Sequence, residues 1–191
     1  MKLSKYLSLV LMLMLFTISC AEKEAQDNDM DEGETSATNF TKAVAVVHPT
    51  EGNKAMGTIT FEQTSQGVKI HTEMNGLSSG MHGYHIHLYG DCTAPDGTSA
   101  GTHFNFEGSS LNPPADIDRI TGNLGNLNAN DSGEAIADTL IPNATLNGAK
   151  SIIGRSVVVH AKANDPSQPP IGAAGSRLGC GVIGIANTGT E

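Results

Sequence analysis

Tryptophan is absent from these 191 residues, and three tyrosines and five phenylalanines stand against 22 glycines. A core must therefore come mainly from aliphatic side chains, with few rings to add. Cysteine is nearly missing too, with three in all, which excludes a disulfide-dense scaffold. Basic residues are scarce. Past residue 39 there are 8 Lys and Arg against 13 Asp and Glu, with no basic stripe, so nucleic acid is not an expected partner. No apolar run is long enough to cross a bilayer core of about 30 Å as a helix, and from Phe40 onward there is no convincing helical period.

The apolar run that does exist is Leu7 to Ile18, preceded by Lys2 and Lys5. That is the layout of a signal peptide rather than a stable span. It ends in Thr17-Ile18-Ser19-Cys20, which resembles a bacterial lipobox, although leucine is usual where Thr17 stands. Cleavage would leave Cys20 as a lipid-bearing N-terminus; an ordinary signal peptide with a stray cysteine stays open. Residues 1–19 thus read as lipoprotein signal peptide. Residues 20–39 are small, polar and acidic (Glu22, Glu24, Asp27, Asp29, Asp31, Glu32, Glu34). They read as a disordered tether that can bury no core. An exported, membrane-anchored protein follows, on a membrane face that the sequence does not select. Setting Cys20 aside leaves Cys92 and Cys180, an even pair in an oxidising compartment, where a disulfide is expected. Closing that loop of 88 residues would stabilise the fold by roughly 4–5 kcal/mol on the chain-entropy model.

From residue 40 to 191 the chain reads as one all-β domain. Alternating runs recur at Ala43–Val47, Gly57–Glu62, Val68–Met74, Gly83–Tyr89, Glu134–Leu140, Val157–Lys162 and Cys180–Ala186, with a weaker one near Asn123–Ala129. Eight short strands with Gly, Asn and Pro turns predict a closed or sandwich-like antiparallel sheet. Two connections are long, Gly90 to about Gly122 and Ala163 to Gly179. Structureless loops of that length in a small domain are usually functional.

Four of the seven histidines have suggestive placement. His85 and His87 are two apart, which puts both imidazoles on one face of a strand. His103 lies in the first long loop, and His160 closes the run Val157–Val159. Imidazole suits copper and zinc alike, and a histidine ending a buried strand is often only a core residue.

Taken together, the segments Gly83–Asp91, Ala100–Asn105, Ile152–Lys162 and Gly175–Ala186 closely resemble the signature segments of the copper/zinc superoxide dismutases. Their order and spacing agree along nearly all of residues 41–187. The resemblance implies an eight-stranded antiparallel Greek-key barrel, an Ig-like sandwich architecture, with two functional loops. It makes His85, His87, His103 and His160 the copper ligands. Cys92 and Cys180 fall on the family's disulfide. Arg177 falls on the arginine that attracts the superoxide anion beside copper, and His82 on a structural histidine that bonds backbone. His48 and His71 match nothing functional.

The zinc half of the pattern is broken. In zinc-containing relatives His103 would bridge both metals, two further histidines would align with Leu111 (or Asn112) and Ile120, and an aspartate with Asn123. A structural zinc site needs four good ligands, so zinc is not expected here. The aspartate that orients a copper histidine aligns with Asn164, and the loop Asp165–Gly172 is short and lacks the Lys and Glu residues of typical relatives. These losses resemble the copper-only dismutases described in fungi. Without zinc another acceptor must orient His103, with Glu107, Asp116 and Asp118 as candidates. Dimeric relatives use different barrel faces, and no patch in the sequence selects one for a homodimer. Three classes of function follow: a copper-dependent superoxide dismutase, a copper-storage or transfer lipoprotein on the same fold, and a metal-free interaction module. Retention of Arg177 speaks against the second, and the intact ligands and cysteine pair against the third.

Overall fold

The computed structural model describes residues 39–105, 122–165, 167–168 and 173–189. The signal peptide, Cys20, nearly all of the tether, and Glu107, Leu111, Asn112, Asp116, Asp118 and Ile120 lie outside the described residues.

Eight strands are present: β1 Lys42–Pro49, β2 Met56–Thr64, β3 Gly67–Asn75, β4 Gly80–His87, β5 Asn123–Ala129, β6 Ala135–Ile141, β7 Ser156–His160 and β8 Arg177–Ile185. Each coincides with a run expected from the alternation. All neighbours are antiparallel, in the order β5-β4-β7-β8-β1-β2-β3-β6. The chain crosses between the two halves after β3 and again after β6, which is the Greek-key path. β5 and β6 lie side by side without a ladder, so the barrel is nearly closed.

Strand period 2 decides which side chains fill the barrel. On β3, Val68, Ile70, Thr72 and Met74 are buried while Lys69, His71 and Glu73 face outward. With no tryptophan, the interior is Ile59, Phe61, Ile70, Tyr84, Ile86, Leu127, Val157, Val159 and Ile183. β4 and β7 depart from simple alternation because both of their faces are covered. From His82 to His87 every residue of β4 is buried, as is every residue of β7. Tyr84 and Ile86 point to the core, whereas Val158 joins Ala100, Cys180 and Cys92 in a small apolar cluster outside the barrel. The first long loop folds back over this outer face. Burying Val158 there contributes about 2 kcal/mol.

Two boundaries beside the site and one connection differ from the sequence reading. β4 stops at His87, because Leu88 and Tyr89 bond instead to the loop, through Leu88 N–H to Thr102 O (2.8 Å) and Tyr89 N–H to Ala100 O (3.1 Å). β8 starts at Arg177 rather than Cys180, so Arg177 belongs to a strand and pairs with His160. A third long connection, residues 142–155, had not been singled out. Its Ala144, Leu146 and Ile152 are buried against the core, so it packs as barrel filling.

Candidate metal centre

His85 and His87 project from the outward face of β4, His160 from the last residue of β7, and His103 from the loop segment that forms a single bridge with His87. The structure brings these four together. All are buried, and one ring nitrogen from each lies within 4.8 Å of the others. Among the described residues no second group of three or more such side chains converges its ligand atoms in this way.

The partners of the remaining ring nitrogens fix the tautomers. His87 Nδ1–H donates to Gly101 O at 2.9 Å and His160 Nδ1–H to Gly175 O at 3.1 Å. A carbonyl only accepts, so both Nε2 atoms are bare in the neutral rings. They face one another at 3.3 Å with no proton between them, an arrangement that repels unless a cation sits nearby. His85 Nε2 lies 2.6 Å from Asn164 Oδ1, leaving His85 Nδ1 buried with no hydrogen-bond partner. His103 Nδ1 is likewise buried and unpartnered among the described residues. Bare, converging imidazole nitrogens, orphaned but for a cation, are what copper or zinc requires. The residues fit a metal.

Burial is the main cause of their proton affinities. It holds His85 and His87 well below the ordinary histidine range, lowers His103 to about 2 and His160 to about 4. Neighbouring imidazoles and Arg177 act in the same direction. All four rings are neutral at pH 7, so no proton competes for the ligand nitrogens.

A cavity of about 350 Å³ opens onto the cluster, lined by His87, His103, His160, Thr98, Gly101 and Arg177. Arg177 is half-buried and held as a bracket, Nη1–H to Gly97 O (2.5 Å) and Nη2–H to Gly101 O (2.6 Å). Burial works against its charge and Asp96 supports it. Gly101 lies at φ 75° and ψ −149°, a conformation essentially restricted to glycine. Its carbonyl thus accepts from both His87 of the cluster and the guanidinium. Cys92 and Cys180 form the expected disulfide, at 88 residues' separation, and pin the loop that carries these carbonyls.

The model of one protein family, copper/zinc superoxide dismutase, matches residues 55–183. The chain belongs to that family. The dismutase family's substrate is superoxide, and its characteristic metals are the ones that the four-histidine cluster fits.

Other assigned residues fall as follows. His82 Nδ1–H donates to His160 O at 2.8 Å, a backbone tie outside the cluster. His71 is on the outer face with Asp138 (2.8 Å) and Glu73 (3.2 Å), and His48 is exposed. Asn123, where zinc-binding relatives have an aspartate, uses its Oδ1 to accept from Gly125 N–H and Asn164 Nδ2–H, both at 3.1 Å. Sequence reasoning missed Arg155, whose guanidinium lies 3.3 Å above the Phe104 ring and donates to Leu88 O (2.9 Å) and Ser151 O (3.2 Å). Phe104 follows His103 directly, so this stack holds the peptide next to a histidine of the cluster. A lone arginine before a strand carries no sequence signal for that contact. Gly83 was also missed as a supporting residue; its lack of a side chain beside the His-x-His pair was the available clue.

Proposed function

We propose that this protein disproportionates superoxide to dioxygen and hydrogen peroxide, with copper as its one catalytic metal, outside the cytoplasm and anchored through a lipid on Cys20. The observation that carries the proposal is the pairing of four neutral, desolvated imidazoles with a bracketed guanidinium across one small cavity. His85 Nδ1, the Nε2 atoms of His87 and His160, and His103 would hold the copper. When bound, copper supplies a one-electron couple that zinc lacks.

Each part of the chain has a role in the overall conversion of two superoxide anions and two protons. Arg177 is a permanent cation whose fork is fixed by Gly97 and Gly101, leaving its remaining donors for a small anion in the cavity. On a net-negative protein that local charge matters more than the overall sign. Arg177 and Leu178 are themselves seated by Thr50, which donates from Oγ1 to Arg177 O (2.7 Å) and from its amide to Leu178 O (3.1 Å). The loop under the disulfide keeps bulk water off the imidazoles, which raises the worth of each charge interaction.

Copper alone is favoured because Asn123 offers an amide oxygen already committed to two donors, where a zinc-binding relative offers a carboxylate. The leader, the Cys20 motif and the disulfide support an exported, anchored protein, and no helix among the described residues is long and apolar enough to cross a membrane. A storage or transfer role would need the imidazoles but not Arg177. The deciding experiment loads the purified chain with copper alone and measures metal content and superoxide disproportionation together. One copper, no zinc and rapid turnover are expected. Tight copper without turnover would favour storage, and activity only after added zinc would refute the copper-only account.

A further inference from the structure

We infer that Asn164 is a positioning residue for His85, and that its neutral amide biases a bound metal toward its reduced state. This rests on the copper reading above only for the identity of the metal.

The structure builds a seat for this side chain. The β4–β5 ladder shifts register between Gly83 and His85, and Gly83 leaves a notch there. A Cβ on Gly83 would lie 2.4 Å from Asn164 Oδ1, so the amide occupies the space of the missing side chain. Its orientation follows from its neighbours. Nδ2 faces two oxygens, Gly125 O at 2.8 Å and Asn123 Oδ1 at 3.1 Å, so the other end facing His85 must be the oxygen. The Asn164 amide N–H donates to Asn126 Oδ1 at 2.7 Å, and Asn123 is fixed in turn by Gly125 N–H. With Oδ1 of Asn164 as acceptor at 2.6 Å, His85 carries its proton on Nε2 and presents a bare Nδ1 to the cluster.

The same network selects an amide over a carboxylate. Aspartate at 164 would set an oxygen against Asn123 Oδ1 and Gly125 O with no proton to share, so Asn123 and Asn164 form a matched pair. The charge difference has a chemical consequence. A carboxylate bonded to a ligand imidazole raises its basicity and favours the more highly charged ion. The amide fixes the ring without that push, and so leaves Cu(I) better held relative to Cu(II).

The test uses the full chain and three variants, N164D, N164L and G83A. In the metal-free protein, ¹⁵N–¹H spectra of the histidines should show His85 solely as the Nε2–H tautomer, and N164L or G83A should mix the tautomers. Competition against chelators for each oxidation state should show the Cu(I)-to-Cu(II) affinity ratio about tenfold lower in N164D, equivalent to a midpoint ~59 mV lower. A ratio within about twofold of the parent with His85 still solely Nε2–H in N164D, or a single Nε2–H tautomer in folded N164L, would overturn the inference. N164D decides if the other two fail to fold: a carboxylate kept on His85 lowers the ratio, and one turned away by Asn123 Oδ1 and Gly125 O releases the His85 tautomer. None of these readouts is turnover. A chain that binds copper but does not disproportionate superoxide would end the proposed function and leave this inference standing.

Discussion

Replacing both disulfide cysteines, C92A/C180A, tests whether the loop over the metal centre is held by covalent closure or by its own hydrogen bonds. The bridge closes 88 residues, which on the chain-entropy model limits the unfolded state by about 4–5 kcal/mol. Part of the loop's anchorage survives the change: Leu88 and Tyr89 still donate to Thr102 and Ala100, and Ala100 still packs on Val158. These contacts act only in the folded state, so they do not offset the entropy released to the unfolded chain. With a urea dependence of roughly 2 kcal/mol per molar, the unfolding midpoint should fall by about 2 M. The same loop supplies Gly97 O and Gly101 O to Arg177, so turnover should drop well below the transition, before any unfolding. The experiment is urea denaturation followed by circular dichroism, with activity measured in parallel. A midpoint shift below about 0.5 M would refute the reasoning, and would mean that the bridge does little to restrict the unfolded chain.

Arg177→Lys keeps the charge but cannot span Gly97 and Gly101, so kcat/KM for superoxide should fall at least about tenfold with copper content unchanged; equal rates would remove the bracket from the account. Metal-free protein should lose stability as pH falls, because His160 has a folded pKa of about 4 against an unfolded value near 6.5. The unfolded state binds more protons between those values, so His160 alone withdraws about 3 kcal/mol by pH 4, which thermal unfolding from pH 7 to pH 4 would register. Copper should protect across that window, and an acid-stable metal-free chain would contradict the burial of these rings. Arg155→Met removes the cation over Phe104 and two donated hydrogen bonds, and should cost about 2 kcal/mol and loosen copper through His103. Unchanged copper affinity in the folded variant would confine Arg155 to stability.

The sheet was legible because period-2 alternation survives wherever one strand face is buried and the other wet, as in Lys69, His71 and Glu73 against Val68, Ile70 and Met74. It blurred where a loop covers the outer face: Val157, Val158 and Val159 all look alike in the sequence, yet Val158 faces away from the barrel. His-x-His put two imidazoles on one strand face by spacing, but making ligands of all four took the family resemblance, and His103 and His160 have no periodic partner at all. The boundary of β8 was misplaced because only Arg177 pairs with β7 beyond the irregularity after Val159, and Leu178 is skipped. The Asn123–Asn164 pairing joins residues 41 apart across a register shift, which no local pattern reports. Glu107, Asp116 and Asp118 lie outside the described residues.

The doubly accepting oxygen of Gly101 also limits how this centre could be re-engineered. Metal seat and anion dock hang from one peptide plane, so the offset between them is a fixed length rather than an adjustable one. Changes at Thr98, Thr102 or Ala174, which line the cavity, can alter its rim and the size of anion admitted. Inserting or deleting a residue next to Gly101 would withdraw the acceptor from His87 on β4 and Arg177 on β8 at once, loosening imidazole and guanidinium in a single change.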